Sequence, residues 1–415
     1  MIKEHDIVVI GGGPAGMAAA VASYDAGCKD VVILDREAKL GGILMQCIHN
    51  GFGLHKLGRE LTGPEYAETY AQMVAERGIQ VYTETMVTGL TQDKVITAQN
   101  RNGVLKIRAK AVILAMGCRE RSRGALNICG ARPAGVYSAG TAQKLTNCMG
   151  YQVGKKIVIL GSGDIGLIMA RRMSLEGAKV EAVCEVMPYS GGLTRNIVQC
   201  LEDFGIPLYL NTTVVKIHGQ KRLEGVTIAE VDAARNPIVG TERYIACDTL
   251  LLSVGLIPEN ELTRMAQIPI DRITNGALVD ENCQTQIPGI FACGNVLQVH
   301  DLVDYVSEEA ERAGLAAVKH LAGSEQERKG ILTHAGEGVR YIVPQRIDAD
   351  DEDVSLFLRV SEPYGKVKLV VSDDKRIITE VKRLKVAPGE MEKVTLTAQQ
   401  LQNVQQSITV RVEVL

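Results

Sequence analysis

At 415 residues the chain can hold two or three domains, at roughly one per 150 residues, and its 46% hydrophobic content supplies a substantial core. A net charge of −3 gives no electrostatic reason to expect nucleic acid or an anionic membrane as a partner. The ten cysteines are scattered with no Cys-x-x-Cys pair, which leaves zinc ribbons, iron–sulfur cubanes and thioredoxin-type dithiols without support and gives no metal-ligand set.

The N-terminus runs directly into an apolar stretch, Asp6 to Ile10, so no secretory signal is expected and the expected location is cytoplasmic. The segment Val8 to Tyr24 contains four glycines and a proline, and it reads as strand, turn and helix rather than a membrane span. The turn is Gly11-Gly12-Gly13-Pro14-Ala15-Gly16. An alanine-rich helix follows it, then the strand Val31 to Leu34, then Asp35 and Arg36. Strand, glycine turn, helix, strand and acid in that order form a dinucleotide-binding unit.

Leu40 to Thr62 reads as neither strand nor clear helix. It carries Gly41, Gly42, Cys47 and His49, and the glycines imply close backbone approach. Pro64 to Arg77 has helical periodicity, Ile79 to Tyr82 and Lys94 to Thr97 read as strands, and Ala111 to Gly117 is a buried strand entering a glycine turn. A linker with Arg119, Arg121 and Arg123 then leads to a second copy of the unit: Lys156 to Leu160, Gly161-Ser162-Gly163-Asp164-Ile165-Gly166 and the acid Glu185. Gly161 lies 150 residues beyond Gly11, as Glu185 does beyond Asp35 and Gly191 beyond Gly41. Asp248 to Gly255 echoes the Ala111 to Gly117 strand. The late strand and turn Ile290 to Asn295, followed by a helix from about Asp301 to Leu321, has no counterpart in the second unit and is expected to return to the first domain.

From about residue 331 the pattern changes to period-two alternation, as in Val354 to Val360, Lys366 to Val371 and Ile408 to Val414. A small β-sandwich is expected, with the acidic loop Asp348 to Asp353 at one end and a helical turn only near Thr397 to Val404. The expected fold class is therefore α/β: two Rossmann-like domains, the second inserted in the first, plus a small all-β domain. The expected boundaries are 1–120 and 283–330 for the first domain, 121–282 for the second with its linker, and 331–415 for the third.

A glycine turn at a helix N-terminus lets a pyrophosphate reach backbone N–H groups, where the dipole supplies about half a positive charge. Asp35 and Glu185 are suited to accept from ribose hydroxyls. A 2′-phosphate at about 4 Å from Glu185 would be repelled by up to roughly 4 kcal/mol at an effective dielectric near 20, which favours NAD over NADP.

Residues 1 to about 325 resemble the two-dinucleotide flavoprotein family that includes thioredoxin reductase and glutathione reductase. The resemblance rests on Gly11 to Gly16 with Asp35-Arg36, on Ala115-Met116-Gly117, on Val254 to Pro258 and on Ile290 to Asn295. It implies FAD on the first unit, through Gly11, Gly13, Pro14, Ala15, Gly16, Asp35, Arg36, Gly42, Val87, Ala115, Met116, Gly117, Gly294 and Asn295, with Asp304 and Tyr305 approaching the ring. It implies the nicotinamide cofactor on the second unit, through Gly161, Gly163, Asp164, Ile165, Gly166, Glu185 and Gly255. Asn295 replaces the aspartate usual in the family.

Two stretches, Gln46 to Gly53 and Arg132 to Gly140, look like the branch of the opine oxidase, hydrogen cyanide synthase and sarcosine oxidase flavin subunits and of the flavoprotein accompanying anaerobic glycerol-3-phosphate dehydrogenase. The branch implies an oligomeric assembly with a partner flavoprotein dehydrogenase or an iron–sulfur protein. No acid–base catalytic residue is identified, since hydride transfer between cofactors requires placement and electrostatics. Two alternatives stand beside this: a stand-alone reductase of a disulfide, polysulfide or oxygen using Cys47, and a flavin-bearing scaffold with a vestigial NAD site.

Overall fold

The computed structural model describes residues 2–323, 330–348, 352–402 and 404–415. The chain forms two units, Met1–Cys118 with Pro258–Leu415, and Arg119–Ile257. In chain order the main helices are α1 (Pro14–Asp25), α2 (Gly63–Glu76), α3 (Ala139–Asn147), α4 (Asp164–Leu175), α5 (Thr194–Cys200), α6 (Glu261–Met265) and α7 (Val303–Leu321). Among the described residues no helix is long and apolar enough to cross a membrane.

The first unit is built on a sheet in the order Gln80–Tyr82, Val31–Leu34, Ile2–Ile10, Gly103–Leu114, Val95–Asn100, Met86–Leu90, with Ile290–Ala292 also paired to Gly103–Leu114. Its centre is parallel: Ile7 to Ile10 align with Val31 to Leu34 on one side and with Ala111 to Leu114 on the other. Parallel strands need both faces covered, which explains their nearly unbroken apolar sequences. Alternate side chains then sort to opposite faces. Ile7, Val9, Ile33 and Ile113 pack under α1, α2 and α7, while Val8, Ile10, Val32 and Val112 pack against Leu262, Ala266, Ile268 and Ala277. Each such valine, leucine or isoleucine, fully buried, contributes roughly 1.5–3 kcal/mol. The close packing of α7 on α1 requires Gly314, where a Cβ would stand 2.4 Å from the Ala19 carbonyl oxygen.

The late strand joins this sheet in parallel with Val112 to Leu114. The return begins at Pro258 rather than near 283. The apolar residues of 262–279 are what carry it, because they bury against the first sheet, and nothing in their spacing distinguished that destination in the sequence.

The second unit holds a parallel sheet in the order Val136–Ser138, Thr249–Leu252, Lys156–Leu160, Lys179–Cys184, Leu208–Tyr209, and a second sheet of Cys129–Gly130, Thr212–His218, Gly225–Glu230 and Arg243–Ala246. The same alternation appears here. Ile157 and Ile159 pack with Leu167, Ala170 and Met173 of α4, and Val158 and Leu160 pack with Val226, Ile228 and Leu250.

The C-terminal region has two sheets facing one core. One runs Arg346–Ile347, Ile331–Ala335, Ser407–Val414, Val367–Ser372, Ile377–Arg383, and the other runs Val339–Val343, Val354–Val360, Glu392–Leu396. Thr397 caps a single helical turn, Ala398–Leu401. Ile342 enters the sandwich core while Tyr341 and Val343, pointing the other way, join the core under the first sheet. The sandwich therefore belongs to the first unit's body. Of the expected acidic loop, Asp348 accepts from the Gly330 N–H at 2.9 Å and from Arg346 Nε at 2.8 Å; residues 349–351 lie outside the described residues, as do 324–329.

Candidate functional site

The first glycine turn is shaped by close approach. Gly11 has φ +106°, and a Cβ there would lie 2.4 Å from the Ala115 carbonyl oxygen; a Cβ on Gly16 would lie 1.7 Å from the Gly11 oxygen. Side chains at either position are incompatible with this turn. Gly13 differs. It caps α1 with no side-chain acceptor, and a Cβ there would meet only the Gly42 Cα at 4.0 Å. Pro14 occupies the first turn, where it costs no hydrogen bond, and that turn carries no acid. The space before α1 is thus open and faced by backbone N–H groups, with no acidic residue in the helix's first turn, which suits a phosphate.

Asp35 closes the turn. Its carboxylate accepts from the Gly12 N–H at 2.5 Å and the Glu37 N–H at 2.7 Å. Burial pushes the pKa of its carboxyl above the usual carboxylate value, against those two donors. Arg36 is exposed beside it. Thr85 and Glu84 donate their N–H groups to the carbonyls of Asp35 and Glu37, which brings Val87 to this edge, where it is buried. Gly41 donates to the Gly12 carbonyl at 2.8 Å, and a Cβ on Gly42 would stand 3.1 Å from the Gly13 Cα. Ala115 is tied to Ile10 by its N–H, and Met116 and Gly117 (φ +71°) continue from it.

Gly294 (φ +72°) approaches α1 so closely that a Cβ would lie 2.8 Å from that of Ala15. Its N–H donates at 2.7 Å to Glu309, a buried carboxylate that also accepts from Gln298 Nε2 at 2.9 Å and pairs with His300 Nε2 at 3.1 Å. Burial alone would raise Glu309, but His300, Gln298 and the Gly294 N–H outweigh it and hold the carboxyl below its ordinary range. Asn295 Oδ1 accepts from the His300 N–H at 3.0 Å.

Asp304 and Tyr305 stand at the start of α7. The Asp304 carboxylate accepts from the Gly53 N–H at 3.3 Å and the Lys56 N–H at 2.8 Å, and the Tyr305 ring packs edge-on against Phe357 at 6.0 Å between centroids. Both side chains are engaged by the protein itself. Leu40 to Thr62 contains a short 3-10 turn, Gly42–Gln46, and two brief strands. Cys47 is half-buried with its thiol 3.4 Å from the Ile43 carbonyl, and His49 Nδ1 lies 3.0 Å from the Asn50 carbonyl with its ring 5.1 Å from Phe52.

The second turn repeats the first. Gly161 has φ +100°, with a Cβ placed 2.0 Å from the Ser253 carbonyl oxygen, and a Cβ on Gly166 would lie 2.5 Å from the Gly161 oxygen. Gly163 caps α4 without a side-chain acceptor, and a Cβ there would meet only Ser253 Oγ at 3.9 Å. Glu185 accepts from the Ser162 N–H at 2.9 Å, the Ser162 hydroxyl at 2.7 Å and the Met187 N–H at 2.9 Å. Asp164, in the first turn, accepts from the Leu193 N–H at 2.8 Å and Asn196 Nδ2 at 2.6 Å, while Ile165 packs against the core. Gly255 (φ +101°) accepts from the Arg121 N–H at 3.0 Å.

Ser162 and Glu309 escaped the sequence reading. Ser162 sat inside the motif, 23 residues before Glu185 as Gly12 sits before Asp35, and that equal spacing was the available signal.

The family profile described as pyridine nucleotide-disulphide oxidoreductase matches residues 5–319. The chain is 28% identical over 357 residues to the mitochondrial dihydrolipoyl dehydrogenase of Caenorhabditis elegans, covering 77% of this chain and 68% of that protein. It is 25% identical over 313 residues to an opine oxidase subunit from Agrobacterium tumefaciens, covering 70% of this chain and 61% of that protein. Among solved structures it resembles thioredoxin reductase of T. acidophilum, with a TM-score of 0.64, 25% identity and coverage of 77% of this chain and 99% of that one.

Proposed function

From the premise that this chain belongs to the pyridine nucleotide-disulphide oxidoreductase family, whose members bind FAD and NAD(P)H, we propose that it is an NAD(H)-linked flavoprotein serving as one subunit of a larger dehydrogenase. FAD belongs on the turn of Gly11 to Gly16 and NAD on that of Gly161 to Gly166. The observation that carries this assignment is the pair of glycines the fold does not need: Gly13 and Gly163 cap open helix ends where a Cβ would clash with nothing. They keep room for a ligand.

When bound, the two cofactors supply hydride transfer between nicotinamide and flavin. The chain's contribution is placement. Asp35 and Glu185, each fixed by backbone N–H donors, present oriented carboxylates for ribose hydroxyls. Glu185 also repels a 2′-phosphate, by up to roughly 4 kcal/mol at about 4 Å and an effective dielectric near 20. The subunit role is supported by the absence of a Cys-x-x-Cys pair in the sequence and by likeness to a protein named as an oxidase subunit. The partner on this reading is a flavoprotein dehydrogenase or an iron–sulfur protein.

Anaerobic titration tests the proposal: NADH bleaches the flavin spectrum and NADPH does so far more weakly. Failure of both to bleach it overturns the NAD(H) assignment. Cys47→Ser leaves reduction of disulfide, polysulfide and oxygen unchanged if this reading holds; loss of those rates transfers the function to a stand-alone reductase. Purification of the native protein under mild conditions brings a redox partner with it, identified by its own flavin or iron–sulfur spectrum.

A further inference from the structure

The C-terminal sandwich lies outside the matched family span, and it reaches the residues beside Gly294 through one buried cation. Arg359 sits on the strand Val354–Val360 with only 12% of its side chain exposed. Its Nη2 donates to the Val299 carbonyl at 3.0 Å and to Asp301 Oδ1, its Nη1 to the Pro388 carbonyl at 3.0 Å, and its Nε to the Tyr341 hydroxyl at 3.1 Å. The other Asp301 oxygen accepts from the Met391 N–H of the sandwich at 2.6 Å. Both ends of Val299–His300–Asp301 are therefore held by the C-terminal region.

His300, between them, is fixed on three sides. Its N–H donates to Asn295 Oδ1 at 3.0 Å, its Nε2 meets Glu309 at 3.1 Å, and its ring stands edge-on to Phe357 of the sandwich at 6.1 Å. Glu309 in turn accepts from the Gly294 N–H. The contacts run without a gap from Arg359 to the turn of Gly294 and Asn295. Because Oδ1 of Asn295 is taken by His300, the orientation of its amide is set, and Nδ2 donates to Cys118 Sγ at 3.7 Å.

We propose that Arg359 is a positioning residue through which the C-terminal sandwich sets the Gly294–Asn295 turn and so the affinity and electronic setting of FAD. This inference rests on the reading that the turn belongs to the FAD site. A guanidinium suits the task because its planar fork holds several acceptors in fixed directions, which an ammonium cannot do. The sandwich then acts as part of the flavin site and not merely as a stabilising domain.

The test uses full-length protein stripped of flavin and titrated with FAD, following flavin fluorescence, with the absorption spectrum and midpoint potential of the reloaded protein as second readouts. Arg359→Met is expected to weaken FAD binding by about tenfold, as for the loss of a charge-assisted hydrogen bond, and to shift the flavin spectrum and potential. Arg359→Lys recovers part of the affinity. Should Arg359→Met fail to fold, Asp301→Asn, which keeps the shape and the Met391 contact, is expected to weaken FAD several-fold. NADH binding, measured by calorimetry, stays unchanged in all three. FAD affinity and spectrum matching the wild type in Arg359→Met, or in Asp301→Asn where the former does not fold, overturn the inference. Asn295→Ala separates the two layers. If it leaves FAD binding untouched, the assignment of the turn to FAD falls; if it weakens FAD while the Arg359 and Asp301 variants do not, only the positioning role falls.

Discussion

The two glycine turns share a backbone and differ in side chains. In each, the first and last glycines are demanded by positive φ or by carbonyl oxygens closer than 2.6 Å to a would-be Cβ, and each acid accepts from the N–H 23 residues before it. The first turn is bare. The second carries Ser162, whose hydroxyl binds Glu185 and accepts from the Gly191 N–H at 3.2 Å, and Asp164, which fastens Leu193 and Asn196. A carboxylate has about four acceptor positions, of which Asp35 uses two on its own chain and Glu185 three. One turn is thus shaped almost wholly by main chain, and the other adds side chains that fix its acid and the loop opposite.

The largest test strikes what the turns share. Gly11→Ala forces a side chain into φ +106° and against the Ala115 oxygen, and Gly16→Ala puts a Cβ 1.7 Å from the Gly11 oxygen. Each is expected to cost about 3 kcal/mol or more, from strain together with overpacking, and to yield protein that is insoluble or free of flavin. Soluble Gly16→Ala protein with wild-type flavin content and melting temperature would mean the turn is not built as described.

These demands explain how much was legible in the sequence. Glycine turn, apolar strand and acid recur within about 25 residues, so short-range geometry writes them into local spacing, and both dinucleotide units and the parallel sheets could be read from it. Long-range pairings leave no such mark. Arg359 meets Asp301 across 58 residues, Asp304 meets Lys56 across 248, and 262–279 buries under the first sheet with no turn or motif to announce it. The bonds from Leu193 and Asn196 to Asp164, across 29 and 32 residues, belong with them.

The next test separates folding from binding. Gly13→Ala and Gly163→Ala place a Cβ where nothing lies nearer than 3.9 Å, so melting temperature is expected to stay within about 2 °C, a shift corresponding to less than 1 kcal/mol. Gly13→Ala should weaken FAD, and Gly163→Ala NADH, by about thirtyfold, roughly 2 kcal/mol, each leaving the other ligand alone. Crossed effects, or none, would break the assignment of one cofactor to each turn. Glu185→Ala comes below these. By removing the charge that repels a 2′-phosphate, it is expected to lower the preference for NADH over NADPH by about tenfold, some 1.4 kcal/mol, a deliberate discount for solvent screening. Kinetic constants for the two nucleotides measure it, and an unaltered ratio would show that Glu185 does not choose between them.

The smallest effect probes the difference itself. Ser162 is fully buried, and its hydroxyl is one of three donors holding Glu185. Ser162→Ala deletes that donor while the backbone N–H remains, so the carboxylate keeps its charge and loses part of its orientation. The loss of one hydrogen bond, about 1 kcal/mol, corresponds to NADH binding roughly fivefold weaker, with FAD content unchanged. The Gly191 N–H loses its acceptor as well, which loosens the loop opposite the turn. Ser162→Gly makes the second turn as bare as the first, and it should behave like Ser162→Ala if the hydroxyl is what matters. If either variant binds NADH as the wild type does, the added side chains serve only the fold of the second unit, and the two turns are functionally equivalent despite their different dress.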